Sequence, residues 1–207
     1  MSVVKAYTTE EKLEAFLGVT IVTGKADDAI NQAVDLIDQL TGRNFIADTS
    51  ASARLFDGND NDHLPIDECV SIDKVEKGDN YYGDTFSEIS EFVQGTNVSG
   101  FKALPVNYVA DKIPIRRIFL RGYLWLKGKF NNRITAKWGY SATVPQAIAL
   151  ATTILASGIY MYNKGGASGN VKSEKIGLYS VSYNNTEGWD SLAKAKLTIE
   201  QYTKPIL

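Results

Sequence analysis

The sequence has few of the residues that build metal and redox sites. Its 207 residues include one cysteine, Cys69, and one histidine, His63. A single cysteine excludes an internal disulfide framework and a cysteine-based zinc cluster, and a single histidine excludes a histidine-rich metal site. We therefore predict no metal ion and no cofactor, and we interpret Cys69 as a small buried apolar residue.

The sequence also has a small net charge and few long apolar runs. The chain has 22 basic and 24 acidic side chains, a net charge of -2 that does not favour nucleic-acid binding. The segment from Met1 to Tyr7 lacks the basic region followed by an apolar stretch that is typical of a secretory leader. Only the stretch that starts at Val144 approaches the length of a membrane span, and its polar residues favour a buried core helix instead: Gln146, Thr152, Thr153 and Ser157. We expect a soluble protein with no membrane partner, made in a reducing compartment.

Hydrophobic periodicity predicts about four helices. Thr8-Thr9-Glu10-Glu11 has the spacing of a capping box and predicts a helix that ends near Leu17. A second helix begins at Asp27 and ends at Gly42. A third follows Val144-Pro145, and apolar residues at helical spacing between 192 and 202 predict a fourth.

From about residue 50 the pattern changes to short β-like runs separated by turns, at 53–56, 64–66, 71–77, 86–93, 113–120 and 134–138. Another strand is predicted at 176–183. We therefore expect an α+β fold, a helical bundle of about four helices with a β-rich insert between the second and third. The helical domain would comprise residues 1–50 and 141–207, and the insert residues 51–140.

Charge is unevenly distributed along this insert. Residues 55–92 contain eleven acidic and two basic side chains, whereas residues 112–137 contain eight basic and no acidic ones. If the two halves form neighbouring strands, their charges neutralise each other locally; if they lie on opposite flanks, they favour head-to-tail contacts between copies. A solvated surface without a partner is equally compatible. The candidate interface or channel-lining residues are Asp57, Asp60, Asp62, Asp67, Glu68, Arg116, Arg117 and Arg121.

No motif in the sequence predicts catalytic residues. Asp57, Asn59, Asn61, His63 and Glu68 fit the spacing of a calcium loop, but Asp62 stands where that loop needs glycine, and a tight hairpin turn explains the pattern better. The glycine-rich segment 163–175 lacks the strand and the glycine-lysine step of a phosphate loop. We interpret it as a mobile loop, either idle or ordered when a partner docks, with Gly165, Gly166, Gly169 and Lys172 as its characteristic residues.

The order of these signals resembles a known family. A Thr-Thr-Glu-Glu helix is followed by Leu40-Thr41-Gly42-Arg43 and Leu55-Phe56-Asp57-Gly58. The second half has the run Ile134 to Tyr140, then Val144-Pro145, an alanine-rich helix, a glycine-rich loop and the run Lys175 to Tyr183. Together they resemble the head-tail adaptor proteins, also called connector or head-completion proteins, of long-tailed bacteriophages.

The resemblance implies a non-enzymatic virion protein, made in the host cytoplasm and located at the head-tail joint. Such adaptors form a ring, expected to be dodecameric, between the portal protein and a stopper or tail-completion protein. The ring extends the channel through which packaged DNA passes without specific binding. By analogy, the C-terminal region would contact the portal, through Leu192, Ala195, Lys196, Ile199, Tyr202 and Leu207. We further expect some acids between Asp57 and Glu91 to line the channel, and the arginines to face neighbouring subunits.

Two other functions remain compatible with the residues. A carbohydrate- or ligand-binding module would need an exposed aromatic platform, formed by Tyr81, Tyr82, Tyr108, Tyr123 and Trp125. A carboxylate-based hydrolase would need two acids of the insert to converge in a cleft.

Overall fold

The structure is a computed structural model that describes residues 6–22, 24–96, 98–165, 173–176, 179–182 and 186–204. For residues 173–176, 179–182, 186–192, 164, 165 and 194, only the backbone is described. The elements in chain order are α1 (Glu10–Leu17), α2 (Asp27–Thr41), β1 (Ser52–Gly58), β2 (His63–Gly78), β3 (Phe86–Glu88), β4 (Gly100–Leu104), α3 (Tyr108–Asp111), β5 (Ile115–Arg121), β6 (Gly128–Trp138), α4 (Gln146–Gly165), β7 (Ser173–Ile176), β8 (Tyr179–Ser182) and α5 (Thr186–Gln201).

The chain divides into two compact units. The first comprises Met1–Phe45 and Val144–Leu207, and the second comprises Ile46–Thr143. In the first unit α4 packs against α1, α2 and α5. Residues 151–160 of α4 are all buried, and the hydroxyls of Thr152, Thr153 and Ser157 donate to carbonyls of the same helix. The predicted core role of this helix is confirmed.

The first two helices begin and end close to where the sequence predicts. Gly18 and Gly42 follow α1 and α2 in the left-handed conformation, each with φ of 65°, which suits glycine. The capping residue of α1 is Thr9, whose side chain accepts from the Lys12 amide. Thr8, expected to cap the helix, is buried, and its hydroxyl lies 2.6 Å from that of Thr153 on α4. The hydroxyl of Thr8 therefore ties the N-terminal segment to the core.

Tyr7 makes a second tie between the N-terminal segment and the helices. Its side chain is buried, its hydroxyl donates to Asp38 Oδ1 at 2.6 Å, and the same oxygen accepts from the Phe45 amide at 2.8 Å. The pKa of Tyr7 is raised, mainly because the side chain is buried and to a smaller extent because its hydroxyl is hydrogen-bonded to Asp38. The ring also packs edge-to-face on Phe45, with centroids 5.9 Å apart.

Replacing Tyr7 with phenylalanine should lower the free energy of unfolding of the helical unit by about 1–3 kcal/mol, because the Phe45 amide loses its buried acceptor. Chemical denaturation followed by circular dichroism measures this loss. Tyr162→Phe is the matched control, since Tyr162 is 78% exposed, and it should change stability by less than about 0.5 kcal/mol. Equal effects of the two substitutions would contradict a structural role for the Tyr7 hydroxyl.

The second unit is an antiparallel sheet of six strands. Its order is β1-β6-β2-β5-β4, and β3 pairs with β2 beside this path. β2 is 16 residues long and changes partner along its length. Its first part pairs with β5, and its later part pairs with β6 and then also with β3. Bulges near Cys69 and Ile72 accompany this change of partner.

This sheet has a hydrophobic core of its own. Its largest fully buried side chains include Trp125, Trp138, Leu64, Ile115, Ile118, Leu120 and Ile134. The prediction of a bundle of about four helices carrying a β-rich insert is therefore wrong. In the described part of the chain, the fold is mainly a six-stranded antiparallel sheet accompanied by five short helices. Ile115, Ile118 and Leu120 on β5, with Ile134, Ala136 and Trp138 on β6, bury enough surface to make the sheet a principal layer of the fold.

Three local predictions also differ from the structure. β1 and β2 flank the turn at 59–62 but do not pair with each other, because β6 lies between them. Hence that turn does not close a hairpin. The strand predicted at 176–183 is two short antiparallel strands, β7 and β8. The loop predicted at 163–175 contains fewer residues than expected, because α4 extends to Gly165 and β7 begins at Ser173. Gly166, Gly169 and Lys172 lie outside the described residues.

Candidate functional site

The acidic and basic halves of the sheet unit are partly brought together, because the basic strand β6 lies between β1 and the acidic strand β2. Lys129 on β6 contacts Asp57 on β1 at 2.6 Å. Arg54 on β1 contacts Asp67 on β2 at 2.7 Å, and Lys102 on β4 contacts Glu91 at 2.8 Å. Asp57 is thus neutralised by the basic half, as in the local-pairing alternative. Asp67 and Glu91 are neutralised within the same chain by Arg54 and Lys102, which lie outside that half.

The most buried of these ion pairs involves Glu76 on β2. Arg133, its cross-strand neighbour on β6, donates to both carboxylate oxygens at 2.7 Å, and Lys74 lies 2.9 Å from Oε1. The Glu76 side chain is only 6% exposed. The Arg133 guanidinium lies 4.3 Å from the centroid of the Phe86 ring, and Lys74 is 3.6 Å from Glu88. Both cations are thereby held over one sheet face.

These contacts set the protonation of the carboxylates. Hydrogen bonds from Arg133, and more weakly from Lys74, lower the pKa of Glu76 to about 2 despite its burial. The contact with Lys129 likewise lowers the pKa of Asp57. A general acid needs a raised pKa, so neither carboxyl group suits that role at neutral pH.

Arg116, Arg117 and Arg121 on β5 differ from the basic residues of β6. All three are exposed. Arg117 has Pro65 and Leu104 as its cross-strand neighbours, so neither adjacent strand places a carboxylate opposite it. Neither Arg116 nor Arg117 has a carboxylate within ion-pair distance among the residues that the structure describes. Arg121 stacks on Phe92, with its guanidinium carbon 4.5 Å from the ring centroid.

The remaining acids proposed for an interface have varied surroundings. Asp60 accepts a hydrogen bond from the Lys127 amide at 2.8 Å. Asp62 lies 3.7 Å from His63 Nε2, while Glu68 is 8% exposed. His63 is half-buried at the start of β2, and its ring packs against Phe119 rather than lying free in a turn. Asp57 and Asp60 thus fasten the β5–β6 connection to the end of β1.

The β5–β6 connection, the 79–84 turn and the start of β6 carry exposed apolar side chains, which we term the loop patch. It comprises six side chains that are 41–71% exposed: Tyr81, Tyr82, Tyr123, Leu124, Leu126 and Phe130. The Lys129 amide donates to the Tyr81 carbonyl at 2.8 Å, which joins the 79–84 turn to the β5–β6 connection. Clustered exposed apolar side chains of this kind mark interaction surfaces.

Phe130 shows that this patch is held in place at a conformational cost. Its φ is +54°, a region that bulky side chains rarely adopt. The Phe130 amide donates to Asp57 Oδ1 at 2.9 Å, and its side chain is 61% exposed. Strain of this kind concentrates at functional positions.

Asn131 is the buried centre of the same region. Its side chain accepts from the Gly58 amide at 2.9 Å and donates to the Leu126 carbonyl at 2.9 Å and the Asn80 carbonyl at 3.4 Å. One amide group therefore joins the end of β1, the 79–84 turn and the β5–β6 connection. Because asparagine is common in turns, the residue type alone does not indicate this role.

The C-terminal residues proposed to contact a portal lie partly inside the helical unit. Ala195 and Ile199 on α5 are buried, whereas Lys196 and the neighbouring Leu197 are exposed. Tyr202 is half-buried and packs edge-to-face on Phe45. Leu207 lies outside the described residues, as does the side chain of Leu192. The accessible surface of α5 therefore lies on the Lys196 side.

The aromatic residues do not form the platform that a carbohydrate module would need. Trp125 is fully buried, with Nε1 donating to the Ile118 carbonyl at 3.3 Å. Tyr108 packs partly buried against the sheet core, and Tyr81 and Tyr82 meet edge-to-face at 80°. An open depression of about 560 Å³ near Tyr123 is lined by both charged and apolar side chains, including Lys77, Glu88, Ile89 and Leu126.

Other classes of site are not formed by the described part of the chain. No group of three or more metal-binding side chains converges there. None of its helices combines the length and hydrophobicity needed to cross a bilayer. Burial raises the pKa of the Cys69 thiol to about 12, which makes it a poor nucleophile, as the sequence predicts.

Solved structures contain chains of this architecture. A chain in the neck of an empty gene transfer agent particle, computed with C6 symmetry, matches with a TM-score of 0.57 and 13% identity. The fold is therefore one found in a particle neck. A chain in the virion of a native gene transfer agent particle matches with a TM-score of 0.53 and 16% identity. Each match covers 100% of this chain and 95% of the other. No protein-family model and no curated protein matches the sequence.

Proposed function

We propose that this protein is a non-enzymatic neck component of a phage-like particle, an adaptor that forms a ring between a portal protein and a stopper or tail-completion protein. The observation that carries the proposal is the full-length likeness in fold to a chain from a particle neck, which covers both units of the chain. The ring would extend the DNA channel. Its location would be the head-tail joint of the virion, and its number of subunits, twelve by the family resemblance, follows the symmetry of its partners.

The distribution of charge supports contacts between copies. Arg116 and Arg117 are exposed and lack a carboxylate partner in the described part of their own chain. A neighbouring copy has exposed acids, among them Asp73 and Asp84 on the same unit. Opposite charges on different surfaces of one chain favour head-to-tail association and ring closure. In this proposal the arginines face acids of a neighbour, such as Asp73 and Asp84, while other acids without a lysine or arginine partner line the channel and repel DNA phosphates.

The loop patch and α5 are the surfaces that we assign to other neck components. The loop patch offers rigidly held aromatic side chains, which are favoured at protein interfaces because little conformational entropy is lost on binding. The exposed side of α5, with Lys196 and Leu197, is the surface proposed to face the portal. The segment between α4 and β7 remains a proposed docking loop.

Replacing Arg116 and Arg117 together with glutamate should weaken self-association by at least about tenfold, since two attractions become two repulsions. Native mass spectrometry over a concentration series measures the effect. The free energy of unfolding should change by less than about 0.5 kcal/mol, because neither arginine has an ion-pair partner among the described residues of its own chain. Lys25→Glu, an exposed charge reversal on the helical unit, is the control. Association unaffected by the double substitution would contradict the assignment of β5 to a subunit interface.

The ring itself is tested with a portal protein from the same particle. The chain and the portal are mixed, and electron microscopy and native mass measure the stoichiometry of the complex. We expect a closed ring of this chain on one face of the portal. A chain that binds no portal, and instead turns over a defined substrate in an insert-carboxylate-dependent manner, would replace the structural function with an enzymatic one.

A further inference from the structure

We infer that β1 of one copy is extended by the β7–β8 hairpin of a neighbouring copy, so that subunits join through strand addition. The inference rests on the proposed ring and names the backbone contact that would link its members. Two separate observations carry it: an unpaired strand edge on the sheet unit, and a two-stranded sheet that pairs with nothing else in the described part of the chain.

The unpaired edge belongs to β1. The path of strands ends at β1 on one side and β4 on the other. Residues 90–92 cover part of the β4 edge, through hydrogen bonds from the Phe92 amide to the Phe101 carbonyl and from the Phe101 amide to the Ser90 carbonyl. Among the described strands β1 pairs with β6 alone, and its first four residues, 52–55, are all exposed. An edge strand of seven residues that no other described segment covers is a template for pairing with another chain.

The direction of the backbone groups follows from the ladder. The Trp138 carbonyl accepts from the Asp48 amide at 2.8 Å, so Trp138 points its backbone toward the side of β1. Backbone groups alternate in direction along a strand, and Ala136 and Ile134 therefore also point toward β1. The backbone N–H and C=O groups of their cross-strand partners, Ser52 and Arg54, therefore point toward β6. The N–H and C=O groups of Ala53 and Leu55 consequently point outward, and no backbone group in the described part of the chain bonds them.

The occupant that we assign is the hairpin of a second copy. β7 and β8 pair with each other in antiparallel register over four residues each. A two-stranded sheet of this length is marginally stable alone, and a third strand stabilises it. β1 and β7 each contain one acidic and one basic residue, Arg54 with Asp57 and Glu174 with Lys175, so no excess of like charge opposes their pairing. Because edge and hairpin are different surfaces of one chain, their contact is head-to-tail and can close a ring.

The test compares Leu55→Pro with Leu55→Thr in the full-length chain. Proline removes the outward N–H of residue 55 but leaves the β6 ladder intact, whereas threonine removes the exposed leucine side chain and keeps the N–H. Native mass spectrometry up to millimolar concentration should show association weakened at least about tenfold by Leu55→Pro and little changed by Leu55→Thr. Circular dichroism melting checks that both variants fold. An equal loss in both would place the effect in the side chain and overturn strand addition.

Amide hydrogen exchange of the wild-type chain gives the second readout. If strand addition occurs, the amides of Ala53 and Leu55 become protected as the chain associates. Association without this protection would overturn the strand contact and leave the ring proposal standing. A chain that stays monomeric at millimolar concentration would also overturn it, since the two free edges would then have no measurable affinity for each other. Ring formation on a portal protein would still test the proposed function independently of strand addition.

Discussion

Substitution of Asn131 by aspartate should destabilise the sheet unit by about 3 kcal/mol or more at neutral pH. The side-chain amide donates to the Leu126 and Asn80 carbonyls and accepts from the Gly58 amide, and the residue is fully buried. Aspartate keeps the size and the acceptor of asparagine but replaces the donor with a second oxygen. A carboxylate oxygen would then face the Leu126 carbonyl oxygen without a proton between them.

The surroundings give this site little freedom to adjust. A Cβ atom on Gly58 would overlap with the Leu126 carbonyl oxygen, so the end of β1 already lies as close to the β5–β6 connection as glycine permits. A water molecule or a moved loop is therefore a poor substitute for the lost hydrogen bonds. We expect the loop patch to lose its fixed arrangement together with stability, because the same bonds hold both.

The measurement is urea denaturation of wild type, Asn131→Asp and Asn107→Asp at several pH values. Asn107 is exposed, and its side chain does not cap α3, so its substitution should cost less than about 0.5 kcal/mol. Desolvation raises the pKa of the introduced carboxyl, and its protonated form can again donate to Leu126. The defect at position 131 should therefore be largest above that pKa and shrink as pH falls below it. An equal and pH-independent effect at both positions would contradict the role assigned to Asn131.

The helices were the most predictable part of this fold. Their signals are local: Gly18 and Gly42 end α1 and α2 where the sequence predicts, and the apolar run after Val144 is the buried helix α4. The overall architecture was predicted wrongly because a sheet is assembled from distant residues. β6 inserts between β1 and β2, which are consecutive in the chain, and no local pattern specifies that order. β4 and α3 lie in the segment where the strand pattern is weakest.

In the candidate site, too, some features are predictable from the sequence and others depend on how distant residues meet. The unequal charge of the two halves of the sheet unit is visible in the sequence, but which acids are neutralised depends on register. Glu76 is neutralised by Arg133, which lies on a neighbouring strand but 57 residues later in the chain. Arg117, in contrast, has the uncharged residues Pro65 and Leu104 as its cross-strand neighbours. Asn131 and Phe130 were missed because their importance comes from burial and an unusual backbone angle, and composition reveals neither of these.

Replacing Glu76 with glutamine should remove most of the acid sensitivity of the sheet unit. The folded-state pKa of Glu76 is about 2, below the value of about 4.5 in the unfolded chain. A depressed pKa contributes stability that is complete above pH 4.5 and is lost as pH falls from there toward 2. Between pH 7 and pH 3 the wild type should therefore lose about 2 kcal/mol that the variant does not lose.

At neutral pH the same variant should be less stable than wild type by about 2–4 kcal/mol, because Arg133 and Lys74 keep their charges while their shared buried carboxylate is gone. Glu88→Gln is the matched control: Glu88 lies directly across from Glu76 in the β2–β3 pair, is 62% exposed, and contacts only Lys74, at 3.6 Å. That variant should lie within about 0.5 kcal/mol of wild type at neutral pH and keep its acid sensitivity. Urea denaturation at pH 7 and pH 3 separates the two carboxylates. If Glu76→Gln kept the full loss of stability on acidification, the acid response would have to come from other carboxylates, such as Asp57, whose pKa is also lowered.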